Sequence, residues 1–295
     1  MFSDKIINFN FYLILLFPIA LITGPFISDS IVVLSSLLFC YYFKFYHLKI
    51  FENKLILFLI LLWIASIISS IFSDDIFFSI KSSLFYIRVI IFSLVVYLIL
   101  KIKEKKLSKV FNILLFIFLV LFIDSIFQRF FGYNLIGIPL SDNVRVSSFF
   151  GDELILGSYL IKLYPILIAL LYLIKSKRFF LYFSLISIIT FISVFLSAEK
   201  AALAIFIIEF FSLTFLINKN LKIKFLFIFS MILLLIFMFF SFPNIKNRIY
   251  DQLLVNSENF KYIYSKVHTE HYISGYKMFT DYPSIGIGPK MYRKF

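Results

Sequence analysis

The sequence holds one cysteine, Cys40, and it lies inside an apolar run. An intramolecular disulfide is therefore impossible, a cysteine metal site has no second ligand, and cysteine usage assigns no redox compartment. Charge is also scarce. Only 15% of the residues are Asp, Glu, Lys or Arg, while 62% are hydrophobic; a soluble domain carries about 25% charge. No soluble fold has enough interior to bury that much apolar side chain, so most of this chain is solvated by lipid. There is no G-x-x-x-x-G-K-S/T sequence and no dinucleotide-type glycine pattern, hence no sign of a nucleotide site. No internal repeat is visible, and matching halves are a common mark of transporters. No cleavable leader is expected either. The apolar stretch after Met1–Lys5 is too long for a signal-peptide core, and no A-x-A site comes after it.

What is present is a series of apolar runs. A membrane helix needs about 20 apolar residues. Nine runs come close: Phe9–Phe26, Ile31–Tyr46, Leu55–Phe72, Leu84–Leu100, Val110–Phe127, Leu154–Ile174, Phe179–Leu196, Ala201–Ile217 and Phe225–Phe242. Pro18 and Pro165 fall inside runs, where neighbouring helices absorb the lost hydrogen bond. The expected fold is all-α: a polytopic transmembrane bundle of about nine spans over residues 1–242, then a large extracytoplasmic segment, 243–295. The 43 phenylalanines carry little functional meaning, because an excess of Phe, Ile, Lys and Asn reads as genomic base bias.

The net charge of +13 would suggest nucleic acid in a soluble protein. Here no basic stripe lies on a polar fold, so no nucleic-acid partner is expected. The basic residues set topology instead. Alternate connections carry Lys44, Lys49 and Lys54; Lys101, Lys103, Lys105, Lys106 and Lys109; Lys175, Lys177 and Arg178; and Lys219, Lys222 and Lys224. The intervening ones, Pro25–Ser30, Ser73–Ser83, Gln128–Glu153 and Ser197–Lys200, carry only Lys81, Arg129, Arg145 and Lys200. Positive residues stay inside, so the N-terminus is expected in the cytoplasm and the tail after Phe242 outside.

Polar chemistry concentrates on the outer side: the Gln128–Glu153 loop, the Ser197-Ala198-Glu199-Lys200 turn, and the tail with His268, His271 and Asp281. Arg145 reads either as a snorkelling interface residue or as a phosphate ligand whose planar fork matches phosphate oxygens. Glu199-Lys200 reads as a charged turn or as part of the same site. His268 and His271 have metal-compatible i,i+3 spacing, but no third ligand lies at a telling distance. In Ile263–Phe279 the residues His268, Tyr272, Gly275 and Phe279 recur at helical spacing, which predicts an amphipathic segment on the membrane surface. Gly286-Ile287-Gly288-Pro289 reads as a turn. Inside the runs, Lys162 and Glu209 lie at equal depth, roughly 12 Å from the outer ends of their helices, and Arg88 and Asp124 at roughly 5–6 Å. Intramembrane charges face a bundle interior or a wet cavity. Equal depth suggests Lys162–Glu209 and Arg88–Asp124 ion pairs, which either hold the bundle together or line a polar cleft opening outward; Lys162 and Glu209 are expected to meet or to share a wet cavity.

The order of these motifs resembles the O-antigen ligase and polymerase family. The resemblance is carried by D-S-I-F-Q-R-F-F-G-Y-N-L-I-G from Asp124 and R-V-S-S-F-F-G-D-E-L-I-L-G-S-Y-L from Arg145. It continues in L-S-A-E-K-A-A at Leu196–Ala202 and H-x6-G-Y-K-M-F-T-D-Y-P-S-I-G-I-G-P at His268–Pro289. It spans most of Asp124–Phe295. It implies a multi-helix enzyme at the outer face of the bacterial inner membrane. The donor would be a glycan carried on undecaprenyl pyrophosphate, and the acceptor a further glycan or a lipid A core. No metal, nucleotide sugar or other cofactor is implied. The family's outer arginines hold the pyrophosphate. Arg145 matches one, and Lys200 stands where the second is usually arginine. Arg88 is the next substrate-binding candidate, and Glu199 and Glu153 are the carboxylates placed to act in catalysis. The family's histidine motif lies deeper in the large outer loop, with more helices after it. Ending at Phe295, the sequence reads as a fragment or a truncated form, and neither His268 nor His271 is assigned to that histidine. The competing class is a transporter or flippase for the same lipids, or a membrane scaffold. Lys162 and Glu209 would suit transport.

Overall fold

A computed structural model describes residues 4–42, 54–142, 144–217, 220–254 and 266–294. These residues form helices α1 (Asp4–Ile22), α2 (Pro25–Tyr42), α3 (Lys54–Ile71), α4 (Ile76–Ile102), α5 (Leu107–Phe131), α6 (Leu156–Leu173), α7 (Phe179–Leu196), α8 (Lys200–Ile217), α9 (Leu221–Ser241), α10 (Pro243–Leu254) and α11 (Lys266–Asp281). No strand is present among the described residues, only two isolated bridges in the loop after α5. Eight helices are long and apolar enough to cross a membrane; α2 is apolar but falls short of that length over its described residues. In lipid a backbone must satisfy its own hydrogen bonds, and helices do so within one segment. The chain is an all-α polytopic bundle, as its composition predicts.

Two helix starts differ most from expectation. The segment Pro25–Ser30, expected as an outer loop, is the first turn and a half of α2. Proline suits a first helical position, because its missing N–H would be unpaired there anyway. The real connection is Thr23-Gly24, with Gly24 at φ 113°. α4 starts at Ile76 rather than Leu84, because Asp75 caps it by accepting a hydrogen bond from the Phe78 N–H at 3.0 Å. Lys81, expected in the loop, is therefore helical. In both cases a local start signal, proline at the first helical position or a capping aspartate, extends the helix beyond its apolar run.

The chain divides into two compact units. One holds Met1–Leu21, Pro25–Glu104 and Lys261–Phe295; the other holds Ile22–Gly24 and Lys105–Phe260. In the first, Phe17 and Phe92 pack at 4.9 Å between ring centroids, within a core of Leu13, Ala20, Ile31 and Val32. Polar pairs then fix the helices: Ser35 to Asn10 at 2.6 Å, and Ser36 to the Arg88 carbonyl at 3.0 Å. α3 and α4 meet through Ser70, Ser79 and Ser83, all buried, with the Trp63 indole N–H donating to the Ser83 carbonyl at 2.9 Å. Small hydroxyl residues let backbones approach closely, which is how helices associate in lipid.

The second unit centres on α6 and α7. About half of each is buried inside the structure (56% and 50%), against 17% for α9. Its core is aromatic. Phe183, Phe191, Phe206 and Phe210 are all almost fully buried and link α7 to α8, with Phe183 and Phe210 stacked at 5.9 Å. The phenylalanine excess thus serves packing between helices, where rings offer large contact area and preferred geometries.

Candidate anion site

The site is built on the end of α5. Asp124 and Gln128 are one turn apart on the same face, and both are fully buried. The Gln128 side-chain carbonyl accepts from the Ser147 and Ser148 backbone N–H groups, at 3.1 and 2.7 Å. Its NH2 donates to the Ile138 and Pro139 carbonyls at 3.3 and 3.2 Å. Both halves of the amide are therefore in use. Asp124 accepts from the Leu135 N–H at 2.8 Å and the Ser148 hydroxyl at 2.5 Å. Asn134 donates to the Ser148 carbonyl at 2.8 Å and accepts from the Ile136 and Ile138 N–H groups. Gly132 ends α5 in the left-handed region, φ 81°, where a side chain would be strained. The long loop after α5 is thus clamped from beneath by buried polar side chains, and Arg145 sits on its far arm.

A second clamp joins the α7–α8 turn to α6. The first turn of α6 has no cap from its own preceding residue Ile155. Glu199 supplies it instead, accepting from the Gly157 N–H at 2.7 Å, the Ser158 N–H at 3.2 Å and the Ser158 hydroxyl at 2.6 Å. A carboxylate at a helix N-terminus satisfies free N–H groups and complements the dipole. Approach this close needs glycine. A Cβ on Gly157 would lie 2.7 Å from Ser197 Oγ, 2.9 Å from the Ala202 Cβ and 3.1 Å from Glu199 Oε1. Ser197 and Ala202 are buried and cannot give way freely. Gly157→Ala is therefore expected to cost about 1–3 kcal/mol and to lower the temperature at which detergent-purified protein stays monodisperse. A variant as heat-resistant as the parent would show that the turn can shift.

Cations gather around these clamps. The Arg145 guanidinium donates to the Ser197 carbonyl at 3.4 Å and the Leu154 carbonyl at 3.1 Å, bridging both ends of the Glu199 cap. Arg129 donates to the Val144 carbonyl at 3.4 Å and lies 5.3 Å from the Phe242 ring. Arg248, on α10, pairs with Asp142 at 3.4 Å and acts electrostatically on both Arg145 and Lys200. Burial pushes the Arg145 pKa down and Arg248 pushes the same way, while Glu199 and Asp142 oppose them. Arginine stays charged regardless, so the group is a partly desolvated cation. Among the described residues neither Arg145 nor Lys200 makes an ion pair. Two residues around the site hold unusual backbone, Ala198 at φ 54° and Ser148 at φ 53°, and both are held by the surrounding clamps.

Of the residues expected at the site, Arg145, Lys200 and Glu199 come together. Glu153 is exposed, and no side-chain hydrogen bond or ion pair involves it. Arg88 belongs to the other unit and pairs with Asp29 at 2.9 Å. Of the expected Arg88–Asp124 pair each member is engaged within its own unit, Asp124 with Ser148 and Leu135. The Lys162–Glu209 pair is not formed: Lys162 is exposed, and Glu209 is half-buried with one oxygen that has no hydrogen-bond partner. Equal depth fixes one coordinate, and the direction around each helix fixes the other. The His271 ring contacts the Tyr292 hydroxyl, and the His268 side chain lies outside the described residues. Among the described residues no three His, Cys, Asp or Glu side chains converge. Arg248 escapes a reading based on apolar runs, because the tail after Phe242 holds none long enough to span. Its signal is nonetheless there: P-N-I-K-N-R-I-Y is an apolar-periodic stretch with proline at its first position.

Fold and site together define a multi-pass α-helical membrane protein with a cationic cluster at one end of its second unit. No protein-family model, curated protein or solved structure matches the chain.

Proposed function

We propose that this protein polymerises or transfers undecaprenyl-pyrophosphate-linked glycan at the outer face of the bacterial inner membrane, with its N-terminus in the cytoplasm. The observation that carries the reading is the cluster of Arg145, Lys200 and Arg248 around the start of α8. Asp142 is engaged with Arg248 and Glu199 with α6, so the cluster keeps excess positive charge. The N–H groups and dipole of the α8 N-terminus add to it. A pyrophosphate is the kind of anion such a seat fits. It is already a good leaving group, and preorganised cations stabilise the charge that develops on it as the glycosyl bond breaks. The acceptor hydroxyl loses a proton in the same reaction. Glu153, exposed and, like its neighbour Asp152, without an ion pair among the described residues, is a carboxylate with oxygens to spare. Glu199 serves to position the site. The acceptor is a growing glycan or a lipid A core. The transport reading gains no support from Lys162 and Glu209, which do not pair.

The test is glycan laddering in a deletion strain complemented with the full-length gene. Arg145→Ala and Lys200→Ala are each expected to reduce transfer by about 10²-fold at normal membrane levels. Arg145→Lys should restore part of the loss, because a point charge cannot replace the two-pronged fork. Lys200→Arg should be tolerated. Normal ladders from both alanine variants would remove the anion site from this cluster.

A further inference from the structure

α11 lies outside the spans, yet it carries an exposed aromatic stripe. Tyr272, Tyr276 and Phe279 sit at i, i+4 and i+7, on one side of the helix, and are 67%, 69% and 65% exposed. Ile273, 51% exposed, borders them. Glu270, Lys277 and Asp281 occupy the opposite side and are exposed too. The polar side faces water without cost. The aromatic side does not, unless something apolar covers it.

The segment after α11 locates the helix. Residues 282–294 form a strap that closes on the turn between α3 and α4. Gly288, at φ 95°, packs so tightly that a Cβ would lie 2.6 Å from Ser79 Oγ and 2.7 Å from the Ser73 Cβ. Met291 is buried. Lys294 pairs with Asp75 and lies 4.8 Å from the Phe78 ring. Its ammonium holds the Asp75 carboxyl below the usual carboxylate range, helped by the Phe78 N–H. Back along the strap, Tyr292 meets His271 of α11. Ser69 and Ser73 are at the end of α3, and Asp75 and Ser79 at the start of α4, so the strap fastens α11 to the rim of two apolar spans.

We propose that α11 is an interfacial helix, with its Tyr272–Tyr276–Phe279 stripe immersed in the headgroup–acyl boundary of the bilayer its own spans cross, and with the strap as its tether. Continuity with the span ends places a bilayer surface within reach. Tyrosine suits that layer, since its ring is apolar and its hydroxyl stays wet. Lys290 and Arg293, on the strap, are exposed and complement anionic headgroups. This stands independently of the anion site and needs no glycan transfer to be tested.

The full chain, with Cys40→Ser, is reconstituted in phosphatidylethanolamine–phosphatidylglycerol vesicles. Tyr276→Cys, Phe279→Cys, Lys277→Cys and Asp281→Cys, introduced one at a time, carry a nitroxide, and collisions with oxygen and with a water-soluble nickel chelate are measured. Positions 276 and 279 should be oxygen-rich and nickel-poor, at a depth of about 5–10 Å. Positions 277 and 281 should show the reverse. Gly288→Val should abolish the contrast by releasing the strap. Equal nickel exposure at all four positions would overturn the proposal. So would protection of 276 and 279 that appears only on adding oligosaccharide, which would make the stripe a sugar platform. A contrast that survives Gly288→Val would remove the tether from it.

Discussion

Gln128→Leu is expected to open the loop after α5 while leaving the spans assembled. The side chain is fully buried, so no water replaces it. Leucine has nearly the right volume and none of the hydrogen bonds. It strands the buried Ser147 and Ser148 N–H groups and takes a donor from the Ile138 and Pro139 carbonyls, of which Ile138 keeps the Asn134 N–H and Pro139 is open to water. Leaving a buried polar group unpaired costs about 1–3 kcal/mol, so the two N–H groups together cost on the order of 3 kcal/mol or more unless the loop lifts and lets water in. Lifting is the cheaper route, because local opening spares the aromatic core of α6–α8. Limited proteolysis in detergent should then cut between Gly132 and Glu153 far faster than in the parent, with the helices still intact. Gln128→Glu should fail as well, since a carboxylate has no hydrogens for the two carbonyls. An unchanged cleavage rate in Gln128→Leu would mean that the loop is held some other way.

Much of this architecture is legible in the sequence, for a simple reason. Lipid demands long apolar runs, and a run of sufficient length has few alternatives to a spanning helix. α7 matches its predicted bounds to the residue, Phe179–Leu196. Boundaries drift where a local start signal overrides hydrophobicity, as with the first-position proline Pro25 and the capping Asp75. The site is only half visible. Arg145, Glu199 and Lys200 stand out as charges at the ends of apolar runs, and the structure brings them together. The roles of their neighbours depend on contacts between distant positions. Gln128 reads as one polar residue near a helix end, and nothing local says that it binds Ser148 twenty residues on. Gly157 reads as an indifferent glycine until the 197–202 turn is seen to fill the space where its Cβ would be. The paired intramembrane charges are the clearest miss: Arg88 finds Asp29 on α2, a residue expected in a loop.

Glu199 is where a catalytic and a positioning role predict opposite results. Both of its oxygens are occupied, by three donors from the first turn of α6. Glu199→Ala frees all three in a half-buried place. Hydrogen bonds to a charged group contribute about 1.5–3 kcal/mol each, and loss of a helix cap costs about 0.5–2 kcal/mol. The donors share one carboxylate and these values do not add, so a loss on the order of 3 kcal/mol is expected. Glu199→Gln keeps one acceptor oxygen and turns an NH2 toward donors, so it should fall between parent and alanine. Geometry carries the effect to the anion site. Arg145 reaches the Leu154 and Ser197 carbonyls on either side of this cap, so loosening it displaces the guanidinium. Stability in detergent and the proposed glycan transfer should therefore decline together, in the order parent, Gln, Ala. Some transfer should return at lower temperature, where the cap is less needed. A general base behaves otherwise: Glu199→Gln would stop transfer at every temperature while the protein stayed as heat-resistant as the parent. That pattern would return Glu199 to the chemistry and leave Glu153 as a surface carboxylate.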